Sequence, residues 1–117
     1  PIRMPRMAPS TAIAIDSSNV YFTNSANSGD AHQVAQSASM NAGIGLGTTA
    51  LPQGIATDGV NVYWAGNNTI YKAAVGSANG GKPIATNQSG AAFVAVDATS
   101  VYWTNGTANT VMKLTPK

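Results

Sequence analysis

Apolar and polar residues alternate along this chain in short runs bounded by Asn, Gly, Ser or Pro, and one pair of runs returns three times. Each return has an apolar pair or triplet, an Asp, three spacers and then Val-Tyr-aromatic. The phrase reads Ala14-Ile15-Asp16 to Val20-Tyr21-Phe22, Ala56-Thr57-Asp58 to Val62-Tyr63-Trp64, and Ala95-Val96-Asp97 to Val101-Tyr102-Trp103. Period-two alternation rich in β-branched and aromatic residues predicts strands. They are expected over Thr11 to Asp16, Val20 to Thr23, Gly54 to Asp58, Val62 to Ala65, Thr69 to Ala74, Phe93 to Asp97, Val101 to Thr104 and Thr110 to Leu114. No segment carries a helical stripe. Met40 to Leu51 comes nearest, and Gly43, Gly45 and Gly47 argue against a helix there. The chain reads as all-β.

Asp-to-Asp steps of 42 and 39 residues fall in the range of solenoids, propellers and arrays, whose units cannot bury their apolar faces alone. The second copy of the phrase is the cleanest. Strand A is Gly54 to Asp58, B is Asn61 to Ala65, C is Thr69 to Ala74 and D is about Lys82 to Thr86. Hairpin-length turns, including Asn67-Asn68, make this an antiparallel meander and so one blade of a β-propeller. The third copy supplies Ala92 to Asp97, Ser100 to Thr104 and Thr110 to Leu114, and the chain stops at Lys117 before a fourth strand.

The missing strand is expected at the other end. Pro1-Ile2 begins 15 residues before Asp16, as Pro83-Ile84 begins 14 before Asp97. The expected organisation is therefore a latching D strand in residues 1–10, a first blade over 11–51, a second over 52–86 and a third over 87–117. Propellers carry about four to eight blades, so three alone would make too tight a ring. Two copies make six, and a C2 homodimer exchanging N-terminal strands is the economical reading. Half of a natural six-bladed chain would give the same ring.

The stretches Ile55-Ala56-Thr57-Asp58 to Val62-Tyr63-Trp64 and Val94-Ala95-Val96-Asp97 to Val101-Tyr102-Trp103-Thr104-Asn105, with Thr110-Val111-Met112-Lys113-Leu114, resemble a known class. It is that of six-bladed propellers of the YWTD, NHL and TolB-like group, in particular uncharacterised myxobacterial repeat proteins. The resemblance implies the fold and leaves function open, because the group includes receptors, lyases, lactonases and scaffolds. The first copy departs from the pattern. Phe22 replaces Trp, its B–C loop (Asn24 to Gly29) is longer, and Ala31-His32-Gln33 stands where the second has Ile70-Tyr71-Lys72.

Charge narrows the classes. Only 9% of the residues are charged, against about 25% in ordinary soluble proteins. The net charge of +2 is dispersed over the chain, without the clustered basic footprint of a nucleic-acid binder. No apolar run approaches the roughly 18 residues of a membrane helix. Cysteine and Glu are both absent, so thiolate metal sites are excluded. Low charge with abundant Gly, Ser, Asn, Thr and Ala leans towards an extracellular or periplasmic bacterial setting.

Candidate chemistry is sparse. Asp16, Asp58 and Asp97 would each accept backbone N–H bonds two or three residues on, as caps of the A–B turn. A cation ring is the competing use, but calcium wants about six to eight oxygens. Trp64 and Trp103, with Tyr21, Tyr63, Tyr102 and Phe22, would pack between blades, or the two indoles would offer a platform for a sugar. Asn24, Asn67, Asn68 and Asn105 lie in B–C loops, where amides either serve tight turns or bond a glycan. His32 is the lone histidine, with no nucleophile motif near it. Gly43-Ile44-Gly45-Leu46-Gly47 misses the phosphate-loop spacing and no helix follows. The expected function is thus a non-enzymatic, self-assembling propeller module without metal or cofactor. A glycan- or small-ligand-binding propeller is the alternative, and a lactonase- or lyase-type enzyme is third.

Overall fold

The computed structural model describes residues 10–25, 29–38 and 43–117. Among these, eleven antiparallel strands form three sheets of four, four and three strands, and there is no helix. The first sheet is β1 (Ser10–Ile15), β2 (Asn19–Asn24), β3 (Asp30–Ala35) and β4 (Ile44–Thr48). The second is β5 (Pro52–Thr57), β6 (Asn61–Gly66), β7 (Thr69–Ala74) and β8 (Lys82–Ala85). The third is β9 (Ala91–Val96), β10 (Val101–Asn105) and β11 (Thr110–Leu114). Each sheet is a meander in sequence order.

The Val-Tyr-aromatic runs lie in the second strand of each sheet, paired with the first through equivalent positions. Ile13 opposes Phe22, Ile55 opposes Trp64 and Val94 opposes Trp103. The register slips once in each of these pairs, between Ser10 and Ala12, Pro52 and Ile55, and Trp103 and Asn105. Asn67 and Asn68, with φ of 48° and 57°, form the two-residue turn that closes β6 onto β7. Positive φ at both central positions matches the twist of the flanking strands.

The sheets stack face to face in chain order, with β1 against β5 and β5 against β9. Two apolar layers result. Tyr21, Ala31 and Leu46 of the first sheet meet Ile55, Val62 and Trp64 of the second. Tyr63, Ala65 and Ile70 on the other face of the second meet Val101 and Trp103 of the third. The second sheet is therefore covered on both faces, and β6 is buried from Val62 through Gly66.

The first strand of every sheet differs from the sequence expectation. β1, β5 and β9 begin earlier than Thr11, Gly54 and Phe93, and Asp16, Asp58 and Asp97 fall just beyond the strands they follow. The stretch within Met40 to Leu51 contributes β4, to which no strand was assigned from sequence. One of its glycines, Gly47, has a steric reason that Gly81 shares. A Cβ at Gly47 would lie 3.2 Å from Trp64 Cζ2, and one at Gly81 would lie 2.6 Å from Trp64 Cη2. The indole occupies the room that those side chains would need. The expected latch, Pro1 to about Met7, lies outside the described residues.

Candidate functional site

Three sets of sequence candidates occupy three places: the Asp turns at one end of the sheets, the Asn loops at the other, and the aromatic pairs between them.

The Asp turns share one geometry. Asp16 Oδ1 accepts the N–H groups of Ser18 and Asn19, both at 2.8 Å. Asp58 Oδ1 accepts those of Val60 and Asn61 at 2.9 and 2.7 Å. Asp97 Oδ1 accepts those of Thr99 and Ser100 at 2.9 and 2.8 Å. In each case the second carboxylate oxygen takes the hydroxyl of the strand tyrosine five residues on. The distances are 2.5 Å for Tyr21, 3.3 Å for Tyr63 and 2.8 Å for Tyr102. One side chain thus ties the turn and the second strand together.

Electrostatics follow from these bonds. The Tyr21 hydroxyl, then the Ser18 N–H, holds the Asp16 carboxyl below its ordinary value. The Thr99 N–H and the Tyr102 hydroxyl bring Asp97 to about 2. Burial works against ionisation of Asp58 most strongly, but the Lys117 ammonium and the two turn N–H groups outweigh it, leaving about 2. Burial, reinforced by the neighbouring carboxylate, pushes Tyr21 and Tyr63 up to about 12.

Lys117 lies across the cleft between the second and third sheets. Its Nζ pairs with Asp58 Oδ2 at 2.8 Å and also bonds the Asp97 carbonyl. Its backbone N–H reaches Thr99 O at 3.2 Å. This cleft, about 560 Å³, is lined by Thr57, Asp58, Asn61, Asp97 and Lys117 itself. Among the described residues no three His, Cys, Asp or Glu side chains stand together as metal ligands would.

The indoles are interior groups. Trp64 is fully buried and stacks on Tyr71 with ring centres 5.6 Å apart. Trp103 is 4% exposed and donates from Nε1 to Gln88 Oε1 at 3.0 Å, an acceptor it shares with Asn105 Nδ2. Neither ring presents a face to a sugar, so the aromatic platform expected as an alternative is corrected: inter-sheet packing consumes both faces. Asn24 and Asn105 are likewise buried. Of the four candidate amides, Asn67 and Asn68 are the exposed ones. They edge a cleft of about 230 Å³ with Leu51, Gln53 and Gly90, and Asn68 Oδ1 accepts the Gly90 N–H at 3.0 Å. His32 stacks on Phe22 and bonds Asp30 at 3.1 Å, away from both clefts.

Sequence reasoning expected apolar faces that one chain cannot bury, but it did not name the residues that carry the two outer ones. Ile13 and Ile15 on the first sheet are 70% and 65% exposed, and Phe93 and Val111 on the third are 74% and 75% exposed. Aligning the ladders exposes the contrast: Ile55, at the position of Ile13 in the second sheet, is 6% exposed. These faces were legible in principle, since the same apolar positions recur in sheets that have no neighbour.

No protein-family model matches the sequence, and no curated protein matches it. Among solved structures the chain is similar to the computationally designed Ika4 protein. The TM-score is 0.57 over 99% of this chain and 97% of that one, at 11% identity. This likeness concerns the fold alone.

Proposed function

We propose that this chain is a non-enzymatic half of a β-propeller, whose function is to pair with a second copy and close a six-sheet ring. Each three-sheet chain is three blades, and two chains make six, within the span of about four to eight blades that propellers use. The observation that carries the reading is the exposure of Ile13 where its counterpart Ile55 is buried. Contiguous apolar surface left in water marks an interaction site. The third sheet supports the same reading, because its outer strand β11 has no further neighbour among the described residues. Pro83-Ile84 lies in β8, the outer strand of the second sheet. Pro1-Ile2 matches it in sequence and is the segment we assign to the partner's β11.

Sedimentation velocity at micromolar concentration tests this. The expected species has twice the chain mass, and a stable monomer would defeat the proposal. Removal of Pro1 to Met7 is expected to expose the β11 edge and convert the dimer into monomer or aggregate, as unprotected edges do.

A second reading rests on the small cleft beside Asn67 and Asn68, whose exposed amides suit hydroxyl-rich ligands such as glycans. A glycan array, scored by direct binding, tests it, and a flat response across sugars removes it.

A further inference from the structure

The geometry points to a defined closing contact for the ring: the third sheet's outer face, led by Phe93, seats on the Ile13–Ile15 face of the second copy. This inference rests on the pairing just proposed and adds which faces meet and through which residues. The two junctions inside the chain are the template. In both, one face of a sheet, bearing the strand tyrosine, covers the face of the next that bears the aromatic following it. Tyr21 lies in the layer with Trp64, and Tyr63 in the layer with Trp103. Continued outward, that order leaves Tyr102 and its face to cover the face of Phe22, which is the first sheet of another copy. The contact is head-to-tail, and a two-fold axis closes it when both copies contribute.

Polar groups continue the template. Across the first internal junction the Thr23 hydroxyl donates to Gln53 O at 2.7 Å. Thr104 stands at the ladder position of Thr23, opposing Val111 as Thr23 opposes Ala31. It accepts the Phe93 N–H at 3.2 Å, which leaves its own proton to donate outward. Thr11 is the counterpart of Gln53, so the second copy's Thr11 carbonyl is the matching acceptor.

One residue breaks the template. Phe93 falls where the other sheets have Ala12 and Gly54. At Gly54 a Cβ would lie 2.6 Å from Ala92 O and 2.8 Å from Phe93 Cα, closer than any side chain can approach. The closing junction therefore stands wider at this end than the junction between the second and third sheets. The ring of Phe93 fills the added space against Ile13 and Ile15 as an aromatic anchor, the residue class that dominates interface energies.

The chain has no cysteine, so Ile13→Cys with Ala95→Cys, both at exposed positions, gives a clean cross-linking pair. Treated with a short bismaleimide, this variant is expected to run as a covalent dimer and no higher. Moving the first cysteine to Val60, on a turn, is expected to abolish the product. A dimer in sedimentation that does not cross-link overturns the face assignment while leaving the pairing intact. A ladder of higher multiples upholds the faces and overturns the closed ring, and a monomer overturns the pairing itself. Phe93→Ala is expected to weaken the dimer on the order of 30-fold, the effect of truncating an interface anchor. Dimerisation as tight as the parent's, or tighter, overturns the role of Phe93.

Discussion

β6 and β10 carry nearly the same words, Val62-Tyr63-Trp64 and Val101-Tyr102-Trp103, yet they live in different surroundings. β6 is covered on both faces and buried from Val62 to Gly66, as strands between two layers are. β10 alternates, with Val101, Trp103 and Asn105 buried and Tyr102 and Thr104 half-exposed. The turn below each is the same, down to the carboxylate that takes the tyrosine hydroxyl. Local structure is thus written in each copy of the phrase, whereas burial depends on whether a neighbour stands on that side. The energetic weight of a residue follows the neighbour.

The largest separation between the two sheets is expected at the indoles. Trp64→Ala should destabilise the chain by about 3–5 kcal/mol, the range for deleting a large buried aromatic. Trp103→Ala, measured on the monomer, should fall at or below the low end of that range, because its sheet is there open on the far side. Urea unfolding compares them, and equal losses would dissolve the contrast. The next effect is at Gly54, where Gly54→Ala forces a methyl against Ala92 O and should cost about 1–3 kcal/mol as overpacking. Phe93→Ala at the same ladder position should stay within about 0.5 kcal/mol when measured on the monomer.

Asp58→Ala removes the acceptor of the Val60 and Asn61 N–H groups and the ion pair of Lys117, a loss of about 1 kcal/mol because these groups are exposed or only partly buried and the ammonium keeps the Asp97 carbonyl. The open counterpart Asp97→Ala should do less, and the reverse order in thermal melts would contradict the ranking. The smallest effects are those of pH. Asp58 and Asp97 are held at about 2, below the usual 3.8. Between those values the unfolded chain binds protons that the folded one does not, so stability should decline as pH falls through that window. Tyr21 and Tyr63 are raised from 10.0 to about 12. There the folded chain keeps protons the unfolded one has released, so stability should decline again as pH rises across that interval. Urea midpoints that stay level through both windows would show that the Asp–Tyr pairs contribute nothing.

How much of this was legible in sequence follows the same division. The strands of the second and third sheets, their meander order and the Asn67-Asn68 turn are local matters, and alternation and turn residues carried them. β4 was hidden because Gly45 and Gly47 weaken every strand signal, and the reason for Gly47 lies some 17 residues away in Trp64. Asn24 and Asn105 looked like loop amides, but the strands extend to include them and bury them. The indoles could not be told from a sugar platform by spacing alone, since only the packed layers show both faces used. The Lys117–Asp58 pair joins residues far apart in the chain and left no mark in the local pattern.

Each tryptophan sits in a different internal layer, Trp64 between the first and second sheets and Trp103 between the second and third. The molecule therefore has an optical probe for each seam. In Trp64→Phe the remaining emission reports the Trp103 seam, and in Trp103→Phe it reports the other. Stepwise loosening would separate the two signals in time, and a single concerted opening would superimpose them.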